Sequence, residues 1–208
     1  MINNQQKKSY FIGGISGVGK STFLNELAEA SDDFEIIYGS KYFMKWLGLK
    51  DDDYEALQSM PEDIKNKELD KMMRHILNGK QNKKTLLIDA HYLRINEGKI
   101  SDATGNWVRF FNGLFVLNCE PKEVLRRIDS DTLNAKKIRK IFPSNIIDSN
   151  EKLKLLSYYL NKTIYTAKKL SNKFNIPYFI IQNKRDKMKE AVKELVVFTK
   201  TIEKHINL

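Results

Sequence analysis

The stretch FIGGISGVGKSTFLNEL, residues 11–27, constrains the fold of this chain more tightly than any other. A short β-forming run at residues 10–12 ends in glycine, and beyond the turn Phe23, Leu24, Leu27 and Ala28 recur at helical spacing. The order is strand, turn, helix. Between strand and helix, Gly14, Gly17, Gly19, Lys20 and Ser21 fit G-x-x-x-x-G-K-[ST], with Val18 inside the turn and Thr22 just beyond it. Glycines permit tight turns whose amides point inward at an anion, and the helix N-terminus adds the favourable end of its dipole. In this pattern Lys20 pairs with β- and γ-phosphates, Ser21 ligates Mg²⁺ through its hydroxyl, and Thr22 contacts the α-phosphate. ATP and Mg²⁺ are therefore the expected ligands. A glycine-rich turn with an incidental lysine is the alternative, and the flanking strand and helix argue against it.

Four more apolar runs read as strands: FEIIYG, KTLLIDAH, GLFVLNC and IPYFIIQN. Helical patterns separate them: SKYFMKWLGL, the segment after Pro61 to Leu77, EPKEVLRRI, residues 149–174 and residues 186–206. Strands alternating with helices predict an α/β fold, a five-stranded parallel sheet with helices on both faces. The 208 residues suit a single domain. Asp89, at the end of LLID, is the candidate carboxylate for the metal or one of its waters, since Mg²⁺ keeps several waters and recruits few protein ligands. His91 is either a substrate-side group or a structural histidine. The segment DSDTLNAKKIRKIFPSN reads as a basic loop or flap, about 129–143, closed by Pro143.

Composition narrows the remaining classes. The chain is 41% hydrophobic and 30% charged, enough apolar surface to build a core. MINNQQKKSY lacks the apolar segment of a secretion signal, and no apolar run approaches the ~20 residues that span a bilayer. A cytoplasmic location and no membrane partner are expected. The single cysteine, Cys119, suits a small buried side chain. A formal charge of +10 favours anionic partners. The basic residues are spread along the chain, so nucleic acid is possible but not favoured over a small-molecule acceptor. NKRD at residues 183–186 matches the N-K-x-D pattern that reads guanine, a four-residue match of the kind that arises by chance.

With GISGVGKST, YGSKYFMKWLGL, MPEDIKNKELDKMMRHI, LLIDAH, VLNCEPKEVLRRIDSDT and IPYFIIQN in this order, the chain resembles the archaeal-type adenylate kinases and related small P-loop nucleotide kinases along most of its length. The resemblance implies a P-loop NTPase fold over residues 1–208 and ATP-dependent phosphoryl transfer to a nucleotide, nucleoside or related acceptor. It implies that Gly14, Gly17, Val18, Gly19, Lys20, Ser21 and Thr22 bind ATP, and that Ser21 and Asp89 hold the metal. Arg126 and Arg127 would join Lys20 and Asp89 in catalysis from the base of the flap. Tyr38, Gly39, Ser40, His91 and Arg94 would face the acceptor, within a helical segment at about 39–80 and the strand end beside it.

The departures bear on the acceptor. Where the family places arginines, this chain has KDDDYEALQSMP, and in the flap it has Leu133, Asn134 and Ala135. Lys136, Lys137, Arg139 and Lys140 stand close by, but lysine does not reproduce the bidentate fork of arginine. AMP is therefore an unfavoured acceptor. The acids at 51–55 either hydrogen-bond an acceptor or open a helix. Two further readings stay open: an ATP-binding switch or assembly protein that has lost its catalytic groups, and a polynucleotide 5′-kinase.

Overall fold

The computed structural model describes residues 8–51, 53–79, 84–133 and 140–206. Its strands are β1 (Ser9–Gly13), β2 (Phe34–Tyr38), β3 (Thr85–Ala90), β4 (Leu93–Asn96), β5 (Lys99–Asp102), β6 (Gly113–Asn118) and β7 (Tyr178–Gln182). Five of them form one parallel sheet in the order β2-β3-β1-β6-β7, the architecture expected from the alternation of strands and helices. Parallel neighbours need crossovers. These come from α1 (Lys20–Ala30), α2 (Gly39–Trp46), α3 (Tyr54–Ser59), α4 (Glu62–Leu77), α5 (Pro121–Leu133) and α6 (Ser149–Phe174), while α7 (Met188–Ile206) closes the chain.

Successive strand residues point to opposite faces, so each strand feeds two cores. Tyr10, Ile12, Leu87, Phe115 and Leu117 pack against Phe23, Leu24 and Leu27 of α1 and Leu195 of α7. Phe11, Leu86, Ile88, Leu114 and Val116 pack against Met72, Met73 and Ile76 of α4 and against Trp107. A polar substitution in either set would break a layer. Helix ends follow local chemistry: the Asp148 carboxylate accepts from the Asn150 and Glu151 amides to open α6, and Asn175, with φ 53°, closes it in the left-handed region. Pro61 is the N-cap of α4, which runs from the next residue to Leu77.

Two features differ from the sequence reading. The first is the antiparallel hairpin β4–β5, whose turn residues Glu97 and Gly98 both have positive φ, 48° and 81°. That is the geometry of a two-residue primed turn, and the usual asparagine-glycine signal is replaced here by glutamate-glycine. The second is the segment at 129–143. Residues 129–133 belong to α5, which runs on through Leu133, and the Thr132 hydroxyl donates to the Ile128 carbonyl one turn back. Residues 140–143 dock on the hairpin: Glu97 N donates to Lys140 O at 2.6 Å, Gly98 N donates to Ile141 O at 3.2 Å, and Ile141 is buried. Residues 134–139 of the expected flap lie outside the described residues. Cys119 is buried, as its apolar setting suggested. Among the described residues no helix is long and apolar enough to cross a membrane.

Candidate active site

The turn between β1 and α1 is pinned from below by its own apolar residues. Ile15 and Val18 are buried, so the intervening backbone is carried on the core rather than waving above it. Gly17 and Gly19 have φ of 92° and 90°, which other residues rarely adopt. Gly19 is the N-cap of α1 and no side chain caps the helix, which leaves the first-turn amides directed toward the mouth of the turn. Lys20 Nζ folds back to donate to Gly14 O at 3.0 Å. His91 Nδ1 lies at 3.0 Å from the same oxygen. A carbonyl only accepts, so Nδ1 carries the hydrogen of this contact.

The adjacent strand brings the carboxylate. In the β1–β3 register Asp89 is opposite Ile12, and in the β2–β3 register it is opposite Tyr38. The end of β3 is fixed by Tyr92, whose hydroxyl donates to Phe115 O at 3.1 Å and whose ring fills the space a Cβ on Gly13 would need. Burial, and then the Asp89 charge, raise the Tyr38 phenol above its ordinary value. Gly39 lies so close to the Asp89 carbonyl that a Cβ there would collide with it. Tyr38 also donates to Asn25 Oδ1 at 2.8 Å, tying β2 to α1.

Beneath the turn a second group of side chains converges on one atom. Val18 O accepts from Arg127 Nη1 at 2.8 Å and from Asn183 Nδ2 at 2.6 Å. Asn183 is 1% exposed. Glu123 holds both arginines, Arg126 through Nε and Nη2 and Arg127 through Nε, at 2.7–2.8 Å. The hydrogen bonds from Arg126, followed by those from Arg127, hold the Glu123 carboxyl down at about 2. Gly19, Thr22, Arg126, Arg127, Lys184 and Asp186 line a cavity of about 300 Å³ beside this clamp.

Of the residues singled out in the sequence, the structure gathers Gly14, Gly17, Val18, Gly19, Lys20, Ser21, Thr22, Asp89 and His91 about the turn. Tyr38 and Gly39 flank Asp89, Ser40 is exposed in the first turn of α2, and Arg126 and Arg127 stand on the far side at Gly19. Arg94 Nη1 donates to Glu62 Oε2 at 2.6 Å, Asn66 Oδ1 at 3.0 Å and Asp102 O at 3.3 Å, so this guanidinium joins the hairpin to α4. Asn183 was set aside with NKRD, and its place beneath Val18 is the contact that local spacing did not reveal. Asp53 accepts from Ala56 N at 3.1 Å and caps α3, the helix-opening alternative for the acids at 51–55.

Residues 11–153 match the family described as AAA domain. The chain belongs to this family. No curated protein sequence matches it. Solved structures share the fold of this AAA-family chain: shikimate kinase from Bacteroides thetaiotaomicron aligns with a TM-score of 0.57 at 16% identity, covering 93% of this chain and 98% of that one. Shikimate kinase from Acinetobacter baumannii, solved with shikimate, aligns with a TM-score of 0.59 at 11% identity, covering 95% and 96%. The fold is that of the P-loop NTPases, in agreement with the resemblance to small P-loop kinases.

Proposed function

We propose that the protein is a P-loop kinase that transfers the γ-phosphoryl group of ATP to a small-molecule acceptor. The observation that carries this reading is the pairing of the Gly14–Ser21 turn with Asp89, held on adjacent parallel strands at the edge where both strands end. The inward amides and Lys20 bind the polyphosphate, and Thr22 extends the contact toward the α-phosphate. Lys20, now folded onto Gly14 O, swings to the phosphates when they arrive. One hydroxyl, Ser21, and one carboxylate, Asp89, form a donor set that suits Mg²⁺, an ion that takes few protein ligands and keeps its waters. Bound there, magnesium supplies charge to the phosphoryl oxygens. Arg126 and Arg127 flank the nucleotide at Gly19, and Glu123 fixes their orientation.

Tyr38, Gly39, Ser40 and His91 lie on the acceptor side. A dianionic acceptor such as AMP needs bidentate cations, and this wall offers an Arg94 already engaged by Glu62. Slow turnover with AMP is therefore expected, and a neutral or cationic acceptor fits better. Labelled ATP should be resolved by thin-layer chromatography after incubation with nucleotides, nucleosides, hydroxy acids and oligonucleotide 5′-ends. Label moving to a small molecule supports the reading. ADP formation from AMP at roughly ten per second or faster would contradict the acceptor assignment, and transfer to none of the panel would contradict the kinase itself.

A further inference from the structure

The sequence spreads its lysines along the chain, but folding collects some of them. After Glu151, α6 carries Lys152, Lys154, Lys162, Lys168, Lys169 and Lys173 and no acidic residue. Lys162, Thr166, Lys169 and Lys173 are spaced four, three and four apart, which puts them on one helix face. At about 1.5 Å per residue the three lysines span about 16 Å of helix. With Tyr165 they line a cavity of about 430 Å³, whose opposite wall includes Asp102 and Thr104.

None of these three ammonium groups has a carboxylate partner among the described residues. Two of them lie by aromatic rings instead: Lys162 Nζ is 5.7 Å from the Tyr165 ring centroid, and Lys173 Nζ is 4.9 Å from that of Phe174. Tyr165 is 60% exposed, so one face of its ring is open to solvent. Asp102 is the one acid lining the cavity against three lysines, so the groove stays cationic. Its Lys173–Phe174 end lies away from the turn at Gly14–Ser21. Helix α6 ends at Phe174, just before β7 begins, which is the edge of the sheet where strands start.

We propose that this groove binds single-stranded nucleic acid, with Lys162, Lys169 and Lys173 on successive phosphates and Tyr165 stacked on a base. A single strand fits better than a duplex, because an exposed ring between lysines offers a stacking face that paired bases cannot use. The proposal does not depend on which acceptor the cradle serves.

Fluorescence anisotropy of a labelled oligonucleotide on the intact protein, with and without saturating ATP and Mg²⁺, tests it. Three phosphate contacts at about 0.7 each give a log–log salt slope of about −2. Each of Lys162→Gln, Lys169→Gln and Lys173→Gln should reduce that slope by about 0.7. Tyr165→Ala should weaken binding about tenfold and leave the slope unchanged. These residues reach the surface, so circular dichroism of the variants should match the wild type. Binding abolished by ATP would place the strand in the cradle and overturn the proposal. So would binding that ignores all four substitutions, no binding at low salt, or equal competition by tripolyphosphate or anionic vesicles.

Discussion

The two walls of the candidate active site are built by different means. On the nucleotide side, the turn is shaped by neighbours in sequence, by its buried Ile15 and Val18 and by the strand and helix it joins, and two long-range donors, Arg127 and Asn183, lock Val18 O from beneath. On the proposed acceptor side, short elements are tied by contacts between segments apart in sequence: Arg94 to Glu62 and Trp46 Nε1 to Glu68 Oε2 at 3.3 Å through side chains, and the hairpin tip to Lys140 and Ile141 through the backbone. The residues of the first wall's turn are contiguous in sequence. Long-range pairs shape the second, which is where small P-loop kinases can differ while sharing a fold.

Substitutions on the nucleotide side should then be the most damaging. Gly19→Val forces a branched side chain onto φ 90° and into Asn183 Nδ2 and Arg127 Nη1, which a Cβ would meet at 2.6 and 2.7 Å. Loss of measurable turnover and of ATP binding is expected, checked by calorimetric titration. Next, Asp89→Asn should lower turnover by about two orders of magnitude or more while the thermal midpoint changes little. An unchanged rate with unchanged magnesium dependence would make Asp89 structural and blur the contrast between the walls.

A smaller effect is expected at Asn183. Asn183→Ala removes one of two donors to Val18 O and should raise KM for ATP about tenfold, in keeping with one buried hydrogen bond. Asn183→Asp should do no better, since a carboxylate cannot donate to that carbonyl. This residue also shows what the sequence conceals. The cradle was legible because its chemistry is contiguous, five residues within eight positions. Asn183 acts on Val18 across 165 residues, and only the pairing of β6 with β7 brings it there. The partners of Arg94 were hidden for the same reason: Glu62 and Asn66 lie about thirty residues away on α4. The hairpin was missed because glutamate at φ 48° is a weak turn signal, whereas the five parallel strands announced themselves as continuous apolar runs.

The smallest effect should come from Glu123. Its folded value near 2 is below its ordinary 4.5, so the stabilisation it gives is fully present above about pH 5 and is lost as pH falls toward 2. Arg126 is about half exposed, so solvent screening keeps this contribution small. Denaturation of Glu123→Gln followed from pH 7 to pH 2 should show a deficit at neutral pH that disappears in acid. A deficit independent of pH would mean that Glu123 acts by packing and not by charge.

The most direct test of the central claim is transfer of the γ-phosphate of labelled ATP to the acceptor panel by wild type and Lys20→Ala, each with and without magnesium. The account predicts transfer by the wild type only, and only with magnesium. Equal transfer by the two proteins would place the chemistry somewhere other than the Gly14–Ser21 turn.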